Sequence, residues 1–210
     1  MSDQELNWKF VDNQVIESDG IARARQVSHE LGVEPVSPAI GAQLAVVTAA
    51  INAESIIEIG TGVGVSGLWM LQSARRAVLT SIDIEADYQQ HARQAFHEAG
   101  YPSARTRLIT GRASEVLPRM NERSYDVVVI DADGASVIEY AEHGLRLAKS
   151  GGSVLIAHAL WKGRVANPAR RDDTTSAFRT LLTELGKSAA VAASISPAGD
   201  GLLHVVKLTD

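Results

Sequence analysis

The most constraining feature of this chain is a short apolar run that leads directly into a glycine-rich turn. Residues 56–67 read IIEIGTGVGVSG, with four glycines in eight positions, and a helical pattern follows. Glycine permits a tight turn and close approach of the backbone, and the start of a helix offers free N–H groups with partial positive charge. This strand–turn–helix unit predicts that a polar or anionic ligand binds at the turn.

Strand and helix signals alternate from Glu54 to the end of the chain, which predicts a parallel sheet. Helical patterns at residues 13–31 and 38–51 precede the first strand and are separated by GVEPVSP, a turn sequence. The predicted strands are residues 55–59, 78–82, 106–109, 125–130 and 153–157. The tail, AAVAASISPAGDGLLHVVKL, reads as two strands around PAGDG and predicts an antiparallel hairpin at one edge. We therefore expect an α/β fold with seven strands, the last of them reversed.

Length and composition narrow the class of protein. The 210 residues are enough for one domain with its own core, so residues 1–210 are predicted to form a single domain. The absence of cysteine excludes disulfides and thiolate zinc sites. The start, MSDQELNWKF, lacks a signal-peptide pattern, and the apolar stretch LAVVTAAI is too short to span a bilayer. With a net charge of −5, these features favour a cytoplasmic protein with small-molecule partners, not nucleic acid or membrane.

The glycine turn has more than one interpretation. Residues 62–67 match the GxGxxG dinucleotide fingerprint, and Asp83 ends the second strand where a ribose-binding carboxylate belongs. The turn could instead be purely structural, and Asp83 could be a helix N-cap. Glu58 favours S-adenosylmethionine over a dinucleotide, because a carboxylate repels a pyrophosphate but attracts the amino and sulfonium groups of S-adenosylmethionine.

A series of segments resembles, in order and spacing, the O-methyltransferases of the catechol and caffeoyl-CoA type. The segments are VSPAIGAQL, EIGTGVGVSGLWML, TSIDIEADYQQHARQAFHEAG, GRASEVLP, YDVVVIDAD, LRLAKSGGSVLI and ALWKGRV. The resemblance as a whole covers residues 20–210. The similarity is greatest to actinobacterial members. It implies a class I methyltransferase (Rossmann-like) sheet with helices on both faces and extra N-terminal helices. It also implies S-adenosylmethionine as cofactor, a small-molecule hydroxyl as methyl acceptor, and a homodimer.

The resemblance also implies a cofactor site, residue by residue. Around the methionine end of the cofactor it places Glu58, Gly60, Thr61, Gly64 and Ser66. Along the ribose and the adenine edge it places Asp83, Ile84, Gly111, Arg112 and Ala113. Asp131 would lie between the cofactor amine and the acceptor, and Val36 would close the pocket from the N-terminal helices.

The chain departs from the family pattern at the residues that carry the family's chemistry. Typical members hold a divalent metal with the first aspartate of an Asp-x-Asp-Lys segment and with an Asp-Asn pair after the fifth strand. Residues 131–134 read DADG, so Gly134 replaces the lysine, and Ala157 and His158 replace the pair. Unless His158 ligates, only Asp131 is left, and magnesium needs a near-octahedral set of oxygen donors. We therefore expect no metal site and no catalytic magnesium.

Catalysis could persist without the metal. Holding donor and acceptor in line supplies roughly 7–11 kcal/mol, and a positioned base about 10²–10⁴-fold. We predict that His158 and Asp131 are the catalytic residues, with His158 as general base, although His158 could instead bond only to loop backbone. Asp133 could be a site acid or a loop cap. The basic, aromatic loop at residues 159–171 could cover the acceptor or lie solvated at the surface.

Two rival hypotheses remain open at this stage. The missing lysine and metal ligands are compatible with a protein that binds S-adenosylmethionine but has lost turnover. The literal GxGxxG match is compatible with an NAD(P)-dependent oxidoreductase, although no tyrosine–lysine pair spaced for hydride-transfer chemistry is recognisable.

Overall fold

The structure, a computed structural model, describes residues 3–209 and contains one seven-stranded sheet flanked by helices. Met1, Ser2 and Asp210 of the predicted 1–210 domain lie outside the described residues. The strands are β1 Ser55–Ile59, β2 Val78–Asp83, β3 Thr106–Thr110, β4 Tyr125–Ile130, β5 Ala148–Ile156, β6 Val191–Ser196 and β7 Leu202–Lys207. The α-helices are α1 Asp3–Gln14, α2 Asp19–Glu30, α3 Pro38–Ala50, α4 Val65–Ser73, α5 Ala86–Glu98, α6 Ala113–Val116, α7 Val137–Leu147 and α8 Asp173–Lys187. Short 3-10 segments occupy Leu117–Arg119 and Gly134–Ser136.

The strand order across the sheet is β3-β2-β1-β4-β5-β7-β6. Strands β1 to β5 are parallel, whereas β7 runs antiparallel to both β5 and β6. The predicted seven-stranded α/β sheet with a reversed last strand is therefore confirmed. Because the chain order switches direction between β1 and β4, the crevice beyond their carboxyl ends is where such sheets bind ligands.

The helices cover both faces of the sheet, as the alternation of side chains along the strands requires. Ile56 of β1 packs in the same cluster as Leu44 and Phe96, on the face covered by α2 to α5. Its neighbour Ile57 packs on the opposite face in the cluster that contains Phe178 of α8. Fully burying side chains of this kind stabilises a fold by about 1.5–3 kcal/mol each. Within residues 3–209 no helix has the length and apolarity needed to cross a membrane.

Two predicted elements were wrong in their limits by more than one residue. The helix predicted at residues 13–31 is in fact the end of α1 and all of α2, separated by a non-helical segment at residues 15–18. In that segment the carboxylate of Glu17 forms an ion pair with Arg25 at 2.6 Å, which supports the break. Strand β5 begins at Ala148, five residues before the predicted start, because Ala148 pairs with Tyr125 across an irregular register.

Candidate active site

A cavity of about 440 Å³ lies at the carboxyl ends of β1, β2 and β4. Its size falls within the range of small-molecule sites. Ten of the twelve residues predicted to bind cofactor line it: Val36, Gly60, Thr61, Ser66, Asp83, Ile84, Gly111, Arg112, Ala113 and Asp131. The other two, Glu58 and Gly64, do not reach its wall, and neither does His158. The structure therefore gathers most of the predicted site around one space.

Gly60, directly after β1, lies against the backbone of Asp131, directly after β4, and lines the cavity. Its φ of 94° is left-handed, and a Cβ atom built on it would lie 1.8 Å from the backbone oxygen of Asp131. The N–H of Gly60 donates to Ile82 at 2.8 Å, and the N–H of Asp131 donates to Ile59 at 2.8 Å. Only glycine fits this crossing, because both its backbone angle and its surroundings exclude a side chain.

Asp83 holds the glycine turn from the end of β2. Its carboxylate accepts hydrogen bonds from the N–H of Gly62 at 2.8 Å and from the N–H of Glu85 at 3.0 Å. The N-cap residue of α5 is Glu85, so Asp83 is not that cap. The same side chain is partly exposed to the cavity, where its remaining lone pairs are available to ligand hydroxyls.

Glu58 lies one layer behind the cavity wall instead of in it. It is wholly buried, and its two carboxyl oxygens accept hydrogen bonds from Ser66 and Ser81, both at 2.6 Å. Ser81 in turn lies 2.7 Å from the hydroxyl of Thr61. Because Ser66 and Thr61 line the cavity, Glu58 orients the polar groups that a ligand would contact. Gly64 is also set back, with the ring of Phe96 3.1 Å from the position of a Cβ atom.

Burial dominates the ionisation of Glu58. It raises the pKa of this carboxyl from 4.5 to about 7, against the opposing hydrogen bonds from Ser66 and Ser81. The folded protein therefore holds a proton there that the unfolded chain releases near pH 4.5. The stabilisation is complete below pH 4.5 and is lost as the pH rises through 7.

Glu58→Gln is expected to remove this pH dependence. A rise of this size in pKa corresponds to about 3 kcal/mol of unfolding free energy, lost by the wild type between pH 4.5 and 8 but not by the variant. Urea unfolding at both pH values measures the difference. Glu142→Gln, at an exposed position on α7, is the matched control and should track the wild type. An equal gap between Glu58→Gln and wild type at both pH values would contradict this prediction.

Asp131 and His158 lie side by side where β4 and β5 end. Nε2 of His158 is 3.5 Å from Oδ1 of Asp131, and Nδ1 of His158 is 3.4 Å from Oδ2 of Asp200. The side chain of Asp131 is 16% exposed and faces the cavity. Burial raises the pKa of Asp131; His158 acts against this rise, and the carboxylates of Glu34 and Asp83 add to it. A carboxyl group of this kind can exchange a proton closer to neutral pH than an ordinary aspartate.

Asp200 is the neighbour of His158 that sequence reasoning missed. It was visible only as part of the turn sequence PAGDG, and it reaches His158 because β7 pairs with β5. The available signal was topological, since a hairpin beside β5 must bring its turn to one end of that strand.

Comparison with known proteins decides the family. A family model described as O-methyltransferase matches residues 17–208 of this chain. The chain belongs to the O-methyltransferase family. A Mycobacteroides abscessus protein that carries the provisional name O-methyltransferase is 42% identical over 204 residues, which cover 97% of this chain and 95% of that protein. A Mycobacterium leprae protein with the same provisional name is 41% identical over 201 residues, covering 95% and 90% of the two chains.

Solved structures agree with this methyltransferase fold. A protein from Corynebacterium glutamicum superposes with a TM-score of 0.91 at 27% identity, covering 100% of this chain and 99% of that one. The O-methyltransferase TomG from Streptomyces achromogenes, involved in tomaymycin synthesis and solved in complex with S-adenosylmethionine, gives a TM-score of 0.87 at 24% identity and full coverage of both chains. The class I methyltransferase architecture is thus confirmed.

The donor set of this O-methyltransferase does not fit a magnesium ion. Between residues 3 and 209, no group of three or more histidine or acidic residues is arranged to hold a metal. Asp131 has the imidazole of His158 beside it, and Ala157 offers no side-chain donor. One carboxylate and one nitrogen are a poor match for an ion that requires oxygen ligands in octahedral array.

The loop after β5 packs on the O-methyltransferase body instead of over the cavity. The ring of Trp161 stacks on Phe178 of α8, with centroids 5.3 Å apart. Lys162 pairs with Glu34 at 3.0 Å, and Glu34 belongs to the cavity wall. The loop therefore reaches the cavity rim through Lys162, whereas the half-buried Trp161 packs against the core.

Asp133 caps a 3-10 segment and also lies in the cavity wall. Its carboxylate accepts hydrogen bonds from the N–H of Ser136 at 3.1 Å and from the hydroxyl of Tyr140 at 2.9 Å. It is thus a cap for the 3-10 segment, as predicted, while Asp133 and Tyr140 also line the cavity.

Proposed function

We propose that the protein transfers a methyl group from S-adenosylmethionine to a hydroxyl of a small molecule, without a catalytic divalent metal. The observation that carries this proposal is the position of Asp131. Its carboxylate faces the cavity built by the glycine turn, and its immediate partner is the imidazole of His158. A net charge of −5 further supports a small-molecule acceptor over nucleic acid.

The residues of the cavity fit S-adenosylmethionine. Thr61 and Ser66, oriented from behind by Glu58, would hold the methionine end, and Asp83 would accept hydrogen bonds from the ribose hydroxyls. TomG is solved with S-adenosylmethionine, and a structurally similar O-methyltransferase from Bacillus cereus with S-adenosylhomocysteine, which supports the same ligand here. When bound, the cofactor supplies a methyl group activated by a sulfonium cation.

Asp131, with His158 beside it, would accept the proton of the acceptor hydroxyl. The acceptor oxygen forms a bond to the methyl carbon while the carbon–sulfur bond breaks and its electron pair stays on sulfur. The hydroxyl proton passes to the carboxylate of Asp131, which lies 3.5 Å from Nε2 of His158. Because burial raises the pKa of Asp131, this carboxylate is a stronger base than a solvated one.

A binding protein without turnover is the second candidate. It is favoured by Gly134 and Ala157, which stand where typical family members have a lysine and a metal-ligating aspartate. Such a protein would bind the cofactor in the same cavity, so binding alone does not separate the two candidates.

Methyl transfer by chelator-treated protein tests the proposal. With radiolabelled S-adenosylmethionine and a panel of catechols and other small phenols, we expect transfer to at least one acceptor, at a rate unchanged by EDTA or added magnesium. Abolition of turnover by EDTA would overturn the metal-free mechanism. Failure of every acceptor, despite cofactor binding, would favour the binding protein.

We also propose that the protein is a homodimer. Large apolar side chains are exposed on three adjoining elements, including Phe10 on α1, Val46 on α3 and Ile195 on β6. Hydrogen bonds show that these elements are neighbours. Asp12 of α1 accepts one from the N–H of Ala39 in α3, and Gln43 of α3 donates one to Ser196 of β6. Packing this surface against the same surface of a second copy of the chain would remove its apolar side chains from water. Sedimentation equilibrium should give twice the chain mass, and a monomer at micromolar concentration would contradict the proposal.

A further inference from the structure

The imidazole of His158 lies between two carboxylates, one from β4 and one from the β6–β7 hairpin. We propose that Asp200 is a positioning residue that holds a proton on Nδ1 of His158 and so directs Nε2 at Asp131. This inference rests on the proposed function, because it assigns a role within the same site. Asp200 does not line the cavity, and it lies outside the seven sequence motifs that carry the resemblance to the family.

The hairpin turn fixes the backbone that carries His158. The N–H of Leu160 donates to the carbonyl of Asp200 at 2.8 Å, and the N–H of Ala159 donates to Gly201 at 3.0 Å. The N–H of Lys162 donates to the carboxylate of Asp200, with both oxygens at 2.7 Å. The side chain of Asp200 therefore holds the segment after β5 in place and also faces the ring of His158.

Backbone strain in residues 158–162 shows how strongly this segment is held. His158, Trp161 and Lys162 have φ values of 54°, 48° and 54°, in the left-handed region that non-glycine residues rarely adopt. Such conformations persist only where the surroundings determine them, and they are frequent at functional sites. The contacts with Asp200 and Gly201 are the surroundings that hold this one.

The chemistry of the two faces of the imidazole differs. Nδ1 is shielded from solvent and makes no hydrogen bond of good geometry, although Oδ2 of Asp200 lies 3.4 Å away. A carboxylate only accepts hydrogen bonds, so a lone pair on Nδ1 would face another lone pair away from water. A proton on Nδ1 turns this contact into an attraction, and contacts in catalytic sites commonly shorten when ligand binds.

The tautomer of His158 decides which ring nitrogen has a free lone pair for proton exchange in the active site. With the proton held on Nδ1, the lone pair of Nε2 faces Oδ1 of Asp131 at 3.5 Å, so Nε2 is the nitrogen that can receive the proton that Asp131 takes from the acceptor. A carboxylate that orients the far nitrogen of a histidine is the arrangement by which hydrolase triads fix their base. In this chain His158 stands at the second position of the family's metal-ligating pair, and the carboxylates of Asp131 and Asp200 lie on either side of its ring.

The tautomer is measurable without any acceptor. We would label the full chain with ¹⁵N-histidine, record long-range ¹H–¹⁵N correlation spectra near pH 8, and assign His158 by the signals lost in His158→Gln. The expected spectrum shows a protonated Nδ1 for His158, whereas histidine in water favours the Nε2–H form. Asp200→Asn, which retains an acceptor for Lys162, should move His158 toward the Nε2–H form, and Asp200→Glu should restore the Nδ1–H form at least in part.

The matched control is Asp87→Asn, at an exposed position on α5, which should leave the His158 signals unchanged. An Nε2–H tautomer in the wild type would overturn the inference, and so would an Nδ1–H tautomer that persists in a folded Asp200→Asn. If Asp200→Asn does not fold, the wild-type spectrum and Asp200→Glu still decide. Absence of turnover with a protonated Nδ1 would instead count against the proposed function alone.

Discussion

Replacing Gly60 with alanine is expected to destabilise the protein by at least about 3–4 kcal/mol, through left-handed backbone strain and overpacking. The new Cβ atom would meet the carbonyl oxygen of Asp131 at 1.8 Å and its carbon at 2.6 Å. Both atoms are backbone, so relief of this clash requires the ends of β1 and β4 to move apart beside the cavity. Because a domain is stable by only about 5–15 kcal/mol, we also expect cofactor binding to be lost.

Urea unfolding and calorimetric titration with S-adenosylhomocysteine measure both effects. Gly186→Ala is the control, since Gly186 lies in α8 with nothing within 4 Å of its Cβ position and should gain up to about 1 kcal/mol. A Gly60→Ala variant within about 1 kcal/mol of wild type would contradict the account of this crossing.

Asp131→Asn is expected to lower the rate of methyl transfer by about 10²–10⁴-fold, the contribution of a positioned base. The backbone bond from Asp131 to Ile59 does not involve the side chain, so the fold should be retained. The amide keeps the shape of the carboxylate but cannot take the acceptor's proton. Affinity for S-adenosylhomocysteine should therefore change much less than the rate.

Single-turnover transfer from labelled S-adenosylmethionine separates these effects, with Asp87→Asn as the surface control. Equal losses of rate and of cofactor affinity would mean that Asp131 binds the cofactor and takes no part in proton transfer.

The sheet was predictable because its strands are short apolar runs with clear ends. Strands β1 and β4 begin and end at the predicted residues, since each is followed by a turn or a polar residue. The break before α2 was not predictable, because Val15 and Ile16 continue an apolar pattern while the ion pair between Glu17 and Arg25 forms only in the folded chain. The early start of β5 was hidden because the sequence KSGG reads as a turn.

The parts of the candidate site that depend on local sequence were predictable. The parts that depend on how deeply a side chain is buried, or on pairing between strands distant in the sequence, were not. Gly60 and Asp83 stand at strand ends, which fixes their place at the cavity. Glu58 was expected in the wall, but alternation along β1 gives its direction and not its distance from the surface. Asp200 is 42 positions from His158 in the chain and reaches it only through the pairing of β7 with β5.

The most direct test of the account is calorimetric titration of metal-stripped protein with S-adenosylhomocysteine, repeated with added magnesium and with NAD as the control ligand. We expect micromolar binding that magnesium does not strengthen and no binding of NAD. At a hundredfold excess over the dissociation constant, S-adenosylhomocysteine should add about 2.7 kcal/mol to the unfolding free energy. Binding of NAD instead, or binding of S-adenosylhomocysteine only when magnesium is present, would contradict the account.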